Sequence, residues 1–124
     1  INDEMEDFTR PWIEQSPVAN KIDFRIGDAA KEAPKLGITF DMAFVDGDKR
    51  TYAEVYEKLL PIIRSGGYIV ADNTLWDWHV IDPAYDHDHQ TIGIRQFNDL
   101  IAKDERVEKV ILPLRDGLTL IRKK

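Results

Sequence analysis

Segments of strand length alternate with segments of helical periodicity along this chain, and this alternation constrains the fold more than any other feature. Alternating or wholly apolar patterns predict strands over residues 21–26, 39–45 and 68–71. Strands separated by helices in this way form a mostly parallel sheet with helices on both faces. Two further apolar segments, 107–112 and 118–122, are joined by a turn that begins with Pro and ends with Gly, and they predict a C-terminal antiparallel hairpin.

Two helices are predicted in the first third of the chain. Apolar residues recur at helical spacing over residues 3–15, which predicts an amphipathic helix. Pro11 lies inside this segment and is expected to kink the helix or to split it after Thr9, because proline cannot donate a backbone hydrogen bond. The turn after the first predicted strand leads into a short helix over residues 29–35.

Two further helices lie between the later strands. One is expected to begin after a cap at Asp48 or Thr51 and to end at the glycines of residues 65–67. The other is expected to begin at Thr91, which acts as its cap. Between them, residues 73–90 form a long loop rich in Trp, Asp and His, and loops of this length in compact domains are often functional.

Composition excludes several classes of function. The 124 residues suffice for one domain, and the net charge of −6 argues against a general nucleic-acid or anionic-membrane surface. The chain has no cysteine, which rules out disulfides, thiolate metal sites and thiol catalysis and favours the cytoplasm. No apolar run reaches the roughly 18 residues that a membrane span needs.

Acidic or amide residues follow three predicted strands at the point where each strand ends. Asp28 follows the first, Asp46 the second, and Asp72 with Asn73 the third. Ligands of open α/β sheets bind beyond the carboxyl ends of the strands, and oxygen-only ligand sets suit Mg²⁺ or Ca²⁺. The alternative is that these residues are helix caps and turn formers, as Asp and Asn often are.

Three further residues near this edge are candidates for chemistry. Lys49 follows Asp46 by three residues, and beside a metal it can act as a base or as a positive charge on the substrate. The alternative is a solvated surface lysine. Trp76 and Trp78 flank the predicted site and suit the walls of a flat substrate pocket, although one of them can equally cover the core.

Several separated motifs resemble one enzyme family along essentially the whole chain. The motifs are Phe44 to Lys49 (FVDGDK), Leu59 to Pro61 with Arg64 to Gly67, Val70 to Trp76 (VADNTLW), Gly93 to Asn98 (GIRQFN) and Leu112 to Thr119 (LPLRDGLT). Together they closely resemble the cation-dependent O-methyltransferases of the caffeoyl-CoA and catechol type. The resemblance implies a Rossmann-like α/β methyltransferase sheet and transfer of a methyl group from S-adenosylmethionine to a hydroxyl of a small acceptor.

The resemblance also implies roles for individual residues. The family's metal ligands fall on Asp46, Asp72 and Asn73, with Mg²⁺ as the first expectation and Ca²⁺ or Mn²⁺ as alternatives. Its catalytic lysine falls on Lys49. Its adenine-contacting turn falls on Asp28 and Ala29, and Asp46 also lies beside the methyl donor. The acceptor is open between a catechol-like molecule, a coenzyme A thioester and a modified RNA nucleoside, and the acidic charge disfavours the last of these.

The chain departs from the family in one respect. The family's N-terminal strands, its donor-binding glycine loop and its ribose-binding acidic residue have no counterpart, so residues 1–124 are expected to be the C-terminal part of a single class I methyltransferase domain. An unpaired sheet edge would favour a homodimer. Two alternatives have no catalytic role: a receiver-like signalling module and an inert fragment.

Overall fold

The computed structural model describes residues 4–124, and a four-stranded sheet lies at its centre. The strands are β1 (Phe40–Val45), β2 (Ile63–Asp72), β3 (Val107–Leu112) and β4 (Leu118–Lys123), in the spatial order β1-β2-β4-β3. β1 and β2 are parallel, whereas β4 is antiparallel to both β2 and β3. The predicted C-terminal hairpin is therefore confirmed, and the sheet of the described residues is mixed.

The described residues also form four α-helices and several short 3₁₀ segments, some before β1 and the others between the strands. The helices are α1 (Glu4–Glu14), α2 (Ala29–Glu32), α3 (Tyr52–Leu59) and α4 (His89–Lys103). The 3₁₀ segments are Ala19–Lys21, Ala33–Leu36, Lys49–Thr51, Leu60–Ile62, Trp76–Ile81 and Pro83–Tyr85. No helix within residues 4–124 combines the length and the apolar character that crossing a bilayer requires.

The structure corrects two predictions in the N-terminal third. Residues 21–26 do not form a strand, because a strand needs a hydrogen-bonding neighbour and the described sheet places none beside them. The first helix is not split at Pro11, so only a kink there stays a prediction. Proline removes one backbone hydrogen bond, and this exposed helix continues without it. Residue 3 of the predicted helix lies outside the described residues.

Two predicted helix boundaries are also wrong. α3 ends at Leu59 instead of at the glycines of residues 65–67, because Pro61 cannot continue the helical hydrogen bonds. Those glycines lie within β2, where a Cβ at Gly67 would come within 2.7 Å of the Asp41 carbonyl oxygen. α4 is capped by Asp88, whose carboxylate accepts hydrogen bonds from both the backbone N–H and the hydroxyl of Thr91 at 2.7 Å.

The hydrophobic core lies between one face of the sheet and the pair α3 and α4. The Phe97 ring meets those of Tyr52 and Tyr56 edge to face, with centroids 5.5 and 6.0 Å apart. The sheet side of this core is built from Ile63, Ile69, Ala71, Val107 and Ile121. On the opposite face, Met42 and Phe44 are each 58% exposed. The sheet therefore has one covered face and one largely bare face within the described residues.

An ion pair between the buried Asp104 carboxylate and the exposed Arg106 guanidinium links acidity to stability. Asp104 accepts hydrogen bonds from the Arg106 guanidinium and, at 2.7 Å, from the Tyr56 hydroxyl. The Arg106 hydrogen bond is the largest cause that lowers the pKa of the Asp104 carboxyl well below its usual range, and burial acts in the opposite direction. Burial of the Tyr56 side chain raises the pKa of its hydroxyl, and the hydrogen bond to the Asp104 carboxylate raises that pKa further.

We expect Asp104 to contribute stability that is lost in acid. Its pKa is lower in the folded than in the unfolded state, so the contribution is complete above about pH 4 and declines as the pH falls further. Asp104→Asn should lower the free energy of unfolding by roughly 1–3 kcal/mol at pH 7 and flatten the acid side of the profile. Urea unfolding between pH 7 and pH 3 measures this. The exposed Asp99→Asn on α4 is the control, and equal profiles for the two variants would contradict the expectation.

Candidate functional site

The carboxyl ends of β1 and β2 bring the predicted metal ligands to one edge of the sheet. Val45 and Ala71 are paired in register, so Asp46 and Asp72 continue from neighbouring positions on parallel strands. Asn73 follows with a left-handed backbone (φ 58°), which turns the chain sharply at the end of β2. The Asn73 N–H donates to Asp72 Oδ1 at 2.8 Å, and this bond fixes the two ligand candidates relative to one another.

Lys49 is buried at this edge, with only 4% of its surface exposed. Its Nζ donates to Asn73 Oδ1 at 2.6 Å, to the Tyr52 hydroxyl at 2.7 Å and to Asp46 Oδ1 at 3.2 Å. The ammonium also lies 5.5 Å from the centre of the Trp76 ring. The interpretation of Lys49 as a solvated surface lysine is therefore wrong.

The chain around Lys49 is held by Asp48 of its own loop and by two residues of α4. Asp48 caps the 3₁₀ turn by accepting from the Arg50 N–H at 3.0 Å, and the Lys49 N–H donates to Gln90 Oε1 at 2.9 Å. Gly93 of α4 packs directly against this turn, since a Cβ there would lie 2.5 Å from the Lys49 carbonyl oxygen. The lysine loop and α4 thus form one packed unit.

Tyr52 connects the lysine to both strand ends, a role that the sequence analysis missed. Its hydroxyl accepts from Lys49 and lies 3.2 Å from the Val45 carbonyl oxygen and 3.1 Å from that of Asp72. Burial is the main cause that raises the pKa of Tyr52, so the phenol stays protonated near neutral pH and can donate to these carbonyls. Its spacing from Lys49, about one helical turn along the chain, is the sequence signal that could have indicated this contact.

Asp116 is a second missed residue. Its Oδ2 accepts from Asn73 Nδ2 at 2.8 Å, across 43 positions of sequence. Asn73 therefore presents its amide oxygen to Lys49 and its amide nitrogen to Asp116. The antiparallel register that pairs Asp72 with Leu118 brings the turn before β4 to this edge. Sequence reasoning treated Asp116 only as a hairpin turn residue, because the order of strands in the sheet was unknown.

The ligand chemistry of this edge fits a hard cation. Asp46 and Asn73 direct oxygens at a single positive group, the Lys49 ammonium, and Asp72 lies beside them. Within residues 4–124, no group of three His, Cys, Asp or Glu side chains is placed to hold a metal. The candidate ligands Asp46, Asp72 and Asn73 do not form such a group, because one of the three is an amide. Their side chains offer oxygen ligands of the kind that Mg²⁺ and Ca²⁺ prefer.

The two loop tryptophans have different environments. Trp76 packs against the core and also faces the Lys49 ammonium. It therefore covers the core, and its contact with a substrate stays a prediction. Trp78 is 54% exposed and lines an open groove of about 570 Å³ with His79, Ile81 and Tyr85. The groove is formed by the loop that follows the candidate metal ligands. A substrate-binding role for Trp78 stays a prediction.

Asp28 and Ala29 lie apart from this cluster. The Asp28 carboxylate caps α2 by accepting from the Ala30 N–H at 3.1 Å, and it pairs with Lys31 at 2.8 Å. The Lys31 hydrogen bond is the largest cause that lowers the pKa of Asp28. Both residues line an open cavity of about 780 Å³. The helix-cap interpretation of Asp28 is confirmed, and its contact with a methyl donor stays a prediction.

Comparisons with known proteins agree with the motifs and the fold. A family model described as O-methyltransferase matches residues 1–124. Caffeoyl-CoA O-methyltransferase of Mesembryanthemum crystallinum is 39% identical and tricin synthase 1 of Oryza sativa subsp. japonica is 38% identical; the matches cover 99% and 92% of this chain but 53% and 51% of those proteins. The O-methyltransferase TomG of Streptomyces achromogenes, solved in complex with SAM, superposes with a TM-score of 0.88 at 26% identity over 99% of this chain and 59% of its own. The chain therefore spans about half the length of the curated relatives it matches.

Proposed function

Because this chain belongs to the O-methyltransferase family, we propose that its protein transfers a methyl group from S-adenosylmethionine to a hydroxyl oxygen of a small acceptor, with a divalent cation at Asp46, Asp72 and Asn73. The observation that carries the proposal is the buried Lys49 ammonium, which shares its hydrogen bonds between two of these three residues. A lysine with 4% exposure needs such partners, since burial of an unpaired ammonium is costly.

The proposed reaction places each residue in a specific role. When bound, a divalent cation supplies a Lewis acid that lowers the pKa of an acceptor hydroxyl, which is about 10 for an unaided phenol. We propose that Lys49 neutralises the oxyanion as an ammonium while the hydroxyl proton passes to solvent, or that it takes this proton after first releasing one of its own to solvent. Tyr52 and Asn73 hold its Nζ in place. The acceptor oxygen forms a bond to the methyl carbon as the carbon–sulfur bond of the donor breaks, and S-adenosylhomocysteine leaves. Positioning of the two reactants supplies much of the remaining rate acceleration.

The acceptor and the donor are assigned to different surfaces. Trp76 and Trp78 are proposed to bound a flat, catechol-like acceptor, because the Trp76 ring faces Lys49 and Trp78, in the same loop, lines an open groove. Asp28 and Ala29 are proposed to contact the donor's adenine in the larger cavity, and Asp46 to lie near its methyl group. TomG, whose structure contains SAM, supports the identity of the donor. A cytoplasmic location belongs to the proposal and is supported by the absence of cysteine.

Residues 1–124 are proposed to be the C-terminal part of one methyltransferase domain. β1 has a neighbouring strand on one side only in the described sheet. Phe44 on the bare sheet face and Trp12 on α1 are exposed by 58% and 67%. Apolar surface of this kind is normally covered by other parts of a domain or by a partner. We propose that further chain of the length seen in the relatives covers it, and that the complete protein forms a homodimer.

Removal of the Asp72 carboxylate tests the proposed metal site. We expect Asp72→Ala to weaken Mn²⁺ binding by at least about 10-fold, because one of three proposed protein ligands is lost. The chain is titrated with Mn²⁺, and electron paramagnetic resonance measures the free ion at each step. Mg²⁺ is then added to test whether it displaces the bound Mn²⁺. The exposed Asp99→Ala on α4 has the same charge change and should bind Mn²⁺ like the unaltered chain.

Equal Mn²⁺ affinity in the two variants would contradict the assignment of the cation. Calorimetric titration with S-adenosylmethionine then tests whether these residues bind the donor without further chain, which an inert fragment would not do. The family match does not favour a receiver-like module.

A further inference from the structure

The guanidinium of Arg95 is bonded almost entirely to the backbone of the loop that carries Trp78. From α4, it donates to the carbonyl oxygens of His79, Val80 and Asp82, each at 2.9 Å. A fourth bond joins it to Asp86 Oδ1 at 2.7 Å. One side chain therefore holds four points of the segment between residues 79 and 86 against α4.

This loop contains an unfavourable backbone conformation that needs such support. Trp76, Asp77 and Trp78 have consecutive positive φ angles of 47°, 51° and 65°. Three non-glycine residues in the left-handed region persist only where surrounding contacts hold them. The Trp76 N–H donates to the Asp116 carbonyl oxygen at 3.1 Å and anchors the entry of the turn. Arg95 anchors its exit.

The held segment forms the wall of the open groove. The rings of His79 and Tyr85 stack with centroids 3.5 Å apart and planes 9° from parallel. Both residues line the groove together with Trp78. The carbonyl of His79 is one of the oxygens bonded to Arg95. Displacement of the guanidinium would therefore release the backbone that sets the position of this aromatic wall.

We propose that Arg95 is a positioning residue that fixes the aromatic wall of the acceptor groove and thereby sets acceptor affinity. This inference rests on the proposed function, because it assigns the groove to the acceptor. Arg95 does not touch the Lys49 cluster through any of its described hydrogen bonds, so it acts on binding and not on the methyl transfer step. Arginine has five N–H donors spread over three nitrogens in one plane, whereas lysine has three donors on a single nitrogen and cannot reach the same four acceptors.

The test compares Arg95→Gln and Arg95→Lys with the control variant Arg122→Gln. Arg122 is an exposed residue of β4, so its replacement removes the same charge at a position outside the groove. Two quantities are measured with Mg²⁺ present: the rate of limited proteolysis within residues 76–86, and the affinity for catechol by quenching of tryptophan fluorescence. Neither measurement requires turnover. We expect Arg95→Gln to be cleaved at least about 10-fold faster and to bind catechol at least about 10-fold more weakly, as the loss of several charge-assisted hydrogen bonds implies.

The remaining outcomes each decide the question. Arg95→Lys should resemble Arg95→Gln, because it keeps the charge but loses the planar set of donors, whereas full recovery by lysine would overturn the proposed role of the backbone bonds. Unchanged cleavage and affinity in Arg95→Gln would also overturn it, as would failure of the unaltered chain to bind catechol. Catechol binding that depends on Arg95, in a complete protein that transfers no methyl group, would support this inference while the proposed function failed.

Discussion

Replacement of Lys49 by methionine is expected to lower the rate of methyl transfer by about 10²- to 10⁴-fold, the usual contribution of a positioned acid–base group. Methionine has similar length and keeps the buried space filled, but it can neither accept a proton nor neutralise an oxyanion. The free energy of unfolding should change by less than about 2 kcal/mol, because the desolvation cost of the buried ammonium offsets its lost hydrogen bonds. Asp46 is not left as a buried charge, since its side chain is 57% exposed.

Three measurements separate this outcome from a general loss of structure. Initial rates are measured with S-adenosylmethionine and a catechol-type acceptor in the protein that contains the whole methyltransferase domain, and urea unfolding gives the stability. Mn²⁺ affinity should increase, because the ammonium that bonds two of the proposed ligand oxygens has been removed. Lys103→Met, at an exposed position of α4, is the matched control. A rate within about 3-fold of the control would contradict a role for Lys49 in the reaction.

Introduction of a methyl group at Gly93 is expected to impair both stability and activity. Alanine is favoured over glycine within a helix by about 0.5–1 kcal/mol. The added Cβ, however, would lie 2.5 Å from the Lys49 carbonyl oxygen and 2.6 Å from Arg50 Cα, both backbone atoms that cannot move independently. Overpacking of this kind costs about 1–3 kcal/mol, so the net effect of Gly93→Ala should be destabilising.

The same substitution should move the lysine. A shift of the Lys49 backbone by about 1 Å displaces Nζ from Asn73, and misplacement of this size can reduce a reaction rate by about 10²-fold. Unfolding curves and initial rates for Gly93→Ala are compared with those for Gln96→Ala, at an exposed position of the same helix. A Gly93→Ala protein that is more stable than the unaltered one, with undiminished rates, would contradict this expectation. It would show that the backbone of Lys49 and Arg50 moves to accommodate the methyl group at no cost.

The sheet strands and the long helix were largely predictable because each has a recognisable pattern of apolar residues in the sequence. β1, the C-terminal hairpin and α4 agree with their predicted segments to within a few residues. Failures occurred where a contact outside the segment decided the outcome. Residues 21–26 have a strand pattern but no neighbouring strand, and the glycines of residues 65–67 permit close approach of β1 to β2 instead of ending a helix.

The amino-acid sequence by itself determined which side chains follow the strand ends, since the strand pattern places Asp46, Asp72 and Asn73 at one edge of a parallel pair. It also determined that these groups offer only oxygen ligands. The tertiary structure alone decided that Lys49 is buried among them, that Asp116 orients the Asn73 amide, and that Arg95 holds the aromatic loop. Local periodicity specifies which face of an element is buried, whereas hydrogen bonds between residues far apart in sequence depend on how those elements pack.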